Sequence, residues 1–328
     1  MLRFFQNNNI LMFLFFPVIA GLIALAAPKE IIDHINPEKQ VYLYKQLLLF
    51  IQGNSFIVFY KICLAFFLTL NGILFNKFVV TAKINKSNNF FFGFLFLILI
   101  GMSSVKTDNL AILIALLVFI SALIIIIKTL RKPFAIFDFF NAGMLISISF
   151  LFWVNIVFFV PMIFIGLFVI RSQQWREWLT AIIGLFLPLF IFLSFYFFIY
   201  SNVDVVYDTV IIFSQKRELP VFTVYQIITV SYIFLISLLS SFKIISRFNT
   251  LETDIQDYYK IFFLLFINSL VFFLLKPAIL YNILPFSMLA LVIPFGLGFI
   301  NIRRKIFSEL LFTIFLGFAV LIIINFSF

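Results

Sequence analysis

The sequence predicts an all-α polytopic transmembrane helix bundle of about eleven spans, N-terminus inside, with interfacial helices in its outer loops. Three observations carry that prediction. Hydrophobic residues are 64% of the chain and charged residues 11%, against roughly 45–50% and about 25% in soluble domains. A 328-residue chain of that balance has more apolar surface than one water-soluble core can cover, so the bilayer is its solvent. The apolar runs are long and unbroken, as at Leu110–Ile127. That excludes the alternating strands of a barrel, of about 10 residues each, and leaves helices. Basic residues, finally, gather in alternate loops.

The candidate spans are 10–27, 55–75, 89–105, 109–127, 136–150, 152–170, 178–200, 222–241, 260–276, 281–299 and 307–325, all in one transmembrane domain over 1–328. Residues 10–27 also have the look of a signal peptide, with Arg3 ahead of the run and Ala24-Leu25-Ala26 as a cleavage-like triplet. The many spans that follow favour an uncleaved first span. The apolar stretch 135–170 is too long for one span, since 36 residues at about 1.5 Å each would reach about 54 Å against a hydrocarbon core of about 30 Å. Lys128, Arg131 and Lys132 precede it, and Arg171 and Arg176 follow it, so both flanks read as cytoplasmic. A hairpin of two short spans, turning near Phe152–Asn155, satisfies both the length and the charge. With the N-terminus inside, fifteen of the 23 basic residues fall in inner segments and seven in outer ones, the bias expected of cytoplasmic loops.

The loops divide accordingly. Outer loop 28–54 carries Asn36 and Pro37 as a helix start, followed by Tyr42, Tyr44, Leu47, Leu48 and Ile51 on one side, which predicts an interfacial helix on the outer surface. Outer loop 201–221 repeats Val203, Val206, Val210 and Phe213 at helical steps and predicts a second. Inner loop 241–260 is locally acidic through Glu252, Asp254 and Asp257. The 53 phenylalanines, with abundant Ile, Asn and Lys, read as the choice of an AT-rich genome among equivalent lipid-facing residues. Cys63 is the single cysteine, so an intrachain disulfide is excluded. The net charge of +10 reads as topology and contact with anionic membrane lipid, and nucleic acid is not an expected partner.

Candidate chemistry sits at the outer surface. No carboxylate falls at the middle of a predicted span, which counts against an ion-driven pump. Asp33 follows the first span and Asp108 stands between the third and fourth, the two candidate catalytic residues. Asp204 and Asp208 are four apart and share one face if helical. Carboxylates that meet there would hold a divalent cation or act as a general base; solvated loop acids are the plainer reading. Lys61, about 9 Å inside the second span, would snorkel outward or, with Asp204 and Asp208, hold a lipid phosphate or substrate. Asp138 is expected to pair with Arg131 or Lys132. His34 is the single histidine and cannot build a His-rich metal site, so no metal centre and no cofactor are expected. Trp175-Arg176-Glu177-Trp178 suits an interfacial anchor, with Glu177 at the positive start of its helix. Pro285 and Pro294 are capable of breaking the tenth span, where Gly296 and Gly298 would allow close packing.

The segment Trp175-Arg176-Glu177-Trp178-Leu179, with Gly184 and Pro188 behind it and a short hairpin of spans before it, resembles an uncharacterised family of multispanning inner-membrane proteins of flavobacteria and relatives. That resemblance implies an inner-membrane location and no assigned activity. In layout, with an acid in a long first outer loop and another between spans three and four, the chain is similar to the multispanning lipid-sugar-dependent (GT-C type) glycosyltransferases. This likeness implies outer acids serving as base or metal ligands, here Asp33 and Asp108; the Asp-x-Asp pattern usual in that superfamily is absent from this first loop. The expectation is a non-catalytic subunit or scaffold of an inner-membrane assembly, partnered by lipid and by other membrane subunits. The alternatives are a glycosyltransferase, with a divalent cation, and a passive transporter or lipid-handling protein.

Overall fold

A computed structural model describes residues 11–27, 42–51, 56–84, 90–104, 109–129, 132, 134–171, 174–200, 224–246, 248, 252–275, 280–300, 302 and 305–325. The described residues form an all-α bundle of twelve α-helices and one 3-10 helix. In order these are α1 (Leu11–Ala26), α2 (Tyr42–Ile51), α3 (Phe56–Thr81), α4 (Phe91–Ser104), α5 (Asn109–Lys128), α6 (Ile136–Phe152), a 3-10 helix (Val154–Phe159), α7 (Pro161–Arg171), α8 (Trp175–Tyr200), α9 (Val224–Ile245), α10 (Thr253–Leu275), α11 (Leu280–Ile300) and α12 (Lys305–Asn325). Five stretches are long and apolar enough to cross a membrane: Phe56–Thr81, Leu110–Lys128, Trp175–Ile199, Ile227–Ile245 and Lys305–Ile323. Shorter apolar stretches are Leu14–Ala26, Phe91–Met102, Ile136–Phe152, Val154–Val169 and Leu284–Ile300.

The helices pack in two layers. One runs α8, α6, α5, α3, α1, and the other runs α10, α11, α4, with α9 and α12 flanking α11. α5 lies at the centre, with 78% of its most apolar stretch buried, whereas α8 lies at the rim with 6%. Lipid is as apolar as leucine, so what selects partners here is packing and polar contact rather than exclusion from water. The packing is aromatic: Phe75 of α3 stacks on Phe96 of α4 at 4.1 Å, and Phe91, Phe295, Phe299, Phe312 and Phe315 interlock α4, α11 and α12.

Two contacts set the direction of α8 against α6. Glu177 Oε1, in the first turn of α8, accepts the backbone N–H of Ala135, the residue before α6, at 3.0 Å. Further along, a Cβ added at Gly143 would stand 2.6 Å from the Ala181 carbonyl, and one at Gly184 would collide with the Phe140 carbonyl. The two helices therefore start at one end, here called the base, and run parallel. The 3-10 helix and α7 must bring the chain back between them.

That return is the expected hairpin, in altered form. α6 stops at Phe152, Trp153 is extended (φ −145°, ψ 108°), and its N–H donates to Ser149 O at 3.1 Å. Residues 152–170 are not one span but a 3-10 turn followed by the 11-residue α7. Trp153 and Phe159 both stack on Phe286 of α11, at 5.0 and 4.8 Å, and Phe119 of α5 meets Phe159 and Phe286 edge-on. Asn268 of α10 donates to the Phe158 carbonyl at 2.9 Å. Phe286 lies six residues after Leu280, and Asn268 seven before Leu275. At about 1.5 Å per residue, the hairpin turns about 10 Å short of the far end of the bundle.

Several elements differ from expectation. α11 is continuous through Pro285 and Pro294, and its Gly296 and Gly298 receive Phe92 and Ile236 at 2.5 and 2.7 Å from an added Cβ. α10 begins at Thr253, not at 260, and Asp257 and Lys260 pair at 2.7 Å in the turns before its apolar run. Loop 241–260 is shortened accordingly, α9 continuing to Ile245. α2 is the expected helix of the first outer loop, but its apolar side does not face lipid: Tyr44 and Leu48 are fully buried, and α2 packs on α6 and α3. The helix expected within 201–221 lies outside the described residues.

Candidate functional site

The far end is where α1 and α4 finish and α3 and α5 begin. Asp33, Asp108, Asp204, Asp208 and His34 lie outside the described residues, and Lys61 lies within them. Lys61 Nζ donates to the Leu25 carbonyl at 2.9 Å. Carbonyls in the last turn of a helix have no intrahelical donor, and a cation there meets the negative end of the helix dipole. Lys61 thus caps α1 from α3. Beside it, Ile23 of α1 fills the space that a Cβ at Gly101 of α4 would take, 2.5 Å away. In sequence, Asp33 follows α1 and Asp108 directly precedes α5.

Deeper in the bundle, polar side chains join helices. Asn71 is fully buried on α3 and donates to Phe67 O at 2.8 Å and to Leu113 O of α5 at 2.9 Å. Ser149 of α6 donates to Ala115 O of α5 at 2.7 Å. α5 is clasped from both sides at carbonyls two residues apart. Tyr232 of α9 reaches Leu311 O of α12 at 2.7 Å, and Ser308 of α12 reaches Phe299 O of α11 at 2.6 Å.

At the base, Lys132 Nζ holds both carboxylate oxygens of Asp138, at 2.8 and 2.7 Å, as one of the two expected pairings. Glu177 stands in the first turn of α8, as expected, but enclosed by the bundle. It is fully buried, and its Oε1 serves the otherwise uncapped start of α6. Trp178 stacks on Phe164 of α7 at 5.9 Å, while Trp175 is exposed with Arg176 over its ring at 5.9 Å. The enclosure of Glu177 has no local signal in the sequence, because its partner stands 42 residues away.

Among the described residues, no three of His, Cys, Asp and Glu gather in a way that would hold a metal ion. No protein-family model matches the chain, and no curated protein or solved structure does.

Proposed function

We propose that this chain is a multi-pass protein of the bacterial inner membrane, N-terminus inside, serving as a non-catalytic subunit or scaffold of a membrane assembly. In this reading the hairpin 136–171 dips in from the cytoplasmic side, and the remaining long helices cross fully. One observation carries the functional half: Asn71, Ser149, Asn268, Tyr232 and Ser308 each donate to a backbone carbonyl of another element. Polar groups used in this way hold helices to helices, which is what a scaffold requires of them. The location draws on the alternating basic loops and on the resemblance noted above. The rim helix α8, with Phe186, Phe190, Phe195 and Phe198 outward, is offered to lipid and to neighbouring subunits.

The test is gentle extraction from the native membrane, followed by measurement of complex mass and stoichiometry. A defined partner retained at fixed ratio, and retained by Asp33→Asn and Asp108→Asn, supports the scaffold. A chain that extracts as a lipid-bound monomer removes it.

A second reading, a glycosyltransferase using a lipid-linked sugar at the outer face, is favoured by one arrangement. The far-end cluster gathers the ends of α1 and α4, the start of α5, and Lys61. Asp33 and Asp108 would then be base or ligands of a divalent cation, and Lys61 a phosphate partner. Loss of transfer to an acceptor in both Asn variants, with the bundle intact, would put this reading first.

A further inference from the structure

We propose that the hairpin turn is hydrated: water reaches the carboxamide of Asn155 inside the bundle and donates to its Oδ1. Asn155 lies in the 3-10 segment, is only 6% exposed, and its Oδ1 has no hydrogen-bond partner. Ser147, on the last turns of α6, is likewise buried with its hydroxyl unpartnered, whereas two other polar side chains near the turn are engaged. Ser149 donates to Ala115 O, and Asn268 donates to Phe158 O, one 3-10 turn beyond Asn155. The turn's amides at Trp153, Ile156 and Val160 donate to the Ser149, Trp153 and Val157 carbonyls. Asn155 Oδ1 is therefore open to a donor from outside the protein.

Acyl chains carry no hydrogen-bond donor, and non-helical backbone at membrane depth is tolerated only where protein buries it or water reaches it. Protein buries Trp153, Val154, Ile156 and Phe159, but Val157 is 38% exposed, so the turn touches the molecular surface two residues from Asn155. The turn also lies within about 10 Å of the far end by helix rise, a depth that a short file of water molecules spans. Water is the smallest donor and needs only a narrow polar site.

The test uses full-length protein in nanodiscs, where a charged thiol reagent reaches both faces. In a Cys63→Ser background, Asn155→Cys is compared with Ile146→Cys, a fully buried position on α6. Thiol modification requires the thiolate and hence water. Hydration predicts that Asn155→Cys reacts at least tenfold faster than Ile146→Cys; equal, slow labelling overturns it. Should Asn155→Cys fail to accumulate, Asn155→Leu gives an independent reading. In a dry core that change removes an unsatisfied acceptor and raises the melting temperature. Hydration predicts no rise, and a rise overturns it.

Discussion

Glu177 accepts the backbone N–H of Ala135 at 3.0 Å, and this bond pins the start of α8 beside the start of α6. The carboxylate is fully buried, at a place where two helix N-termini present positive dipole ends. Glu177→Ala leaves a buried amide without its acceptor and is expected to destabilise the bundle by about 1–3 kcal/mol. Glu177→Gln keeps an acceptor oxygen and is expected to cost less than half as much. Thermal unfolding in detergent, followed by helical circular dichroism, ranks the three proteins.

Gly143 and Gly184 set the spacing of the same helix pair. A Cβ at either position meets backbone, which cannot swing aside as a side chain would. Gly184→Val is expected to cost about 1–3 kcal/mol or more by overpacking, and to separate α8 from α6. Gly317, whose added Cβ meets nothing within 4 Å, serves as the control, and Gly317→Val is expected to be near neutral. Comparative melting of the two variants measures the difference.

Asn71 and Ser149 grip α5 from opposite sides at Leu113 and Ala115. Each interhelical bond of this kind in a membrane contributes about 0.6 kcal/mol and at most about 1.7 kcal/mol. Asn71→Leu and Ser149→Ala are each expected to lower stability within that range. Because the two bonds share α5, the double variant is expected to deviate from additivity. A double-mutant cycle by thermal or denaturant unfolding reads the coupling.

Lys61 caps α1 at Leu25. Lys61→Met is expected to cost about 0.3–1 kcal/mol, the usual scale of a cation at a helix C-terminus, and to leave complex stoichiometry unchanged. A loss of sugar transfer or of lipid-phosphate binding with unchanged stability would instead mark Lys61 as a ligand residue. Melting and lipid retention, measured on one preparation, separate these outcomes.

Much of the architecture was legible in the residues. Runs of apolar residues located the helices, and the basic flanks at Lys128–Lys132 and Arg171–Arg176, with the excess length between them, located the hairpin turn at Phe152–Asn155. Three features were not legible, each for a physical reason. The burial of Glu177 depends on an amide 42 residues away. The inward face of α2 depends on α6 and α3 lying behind it, and an apolar helix side reads alike whether lipid or protein covers it. Pro285 and Pro294 leave α11 continuous because neighbouring helices hold its path, a tertiary effect that no local propensity encodes. Of the candidate site, Lys61 is placed, while Asp33, Asp108, Asp204 and Asp208 fall outside the described residues.

The most direct test of the central claim, a hairpin over 136–171 that enters and leaves on the cytoplasmic side, is sided cysteine labelling. In a Cys63→Ser background, Lys132→Cys and Gln174→Cys flank the hairpin at exposed positions. An impermeant thiol reagent is applied to intact spheroplasts and then to permeabilised ones. The account predicts that both sites are protected in intact spheroplasts and that both label after permeabilisation. Labelling of one site but not the other in intact spheroplasts would place the two flanks on opposite faces and contradict it.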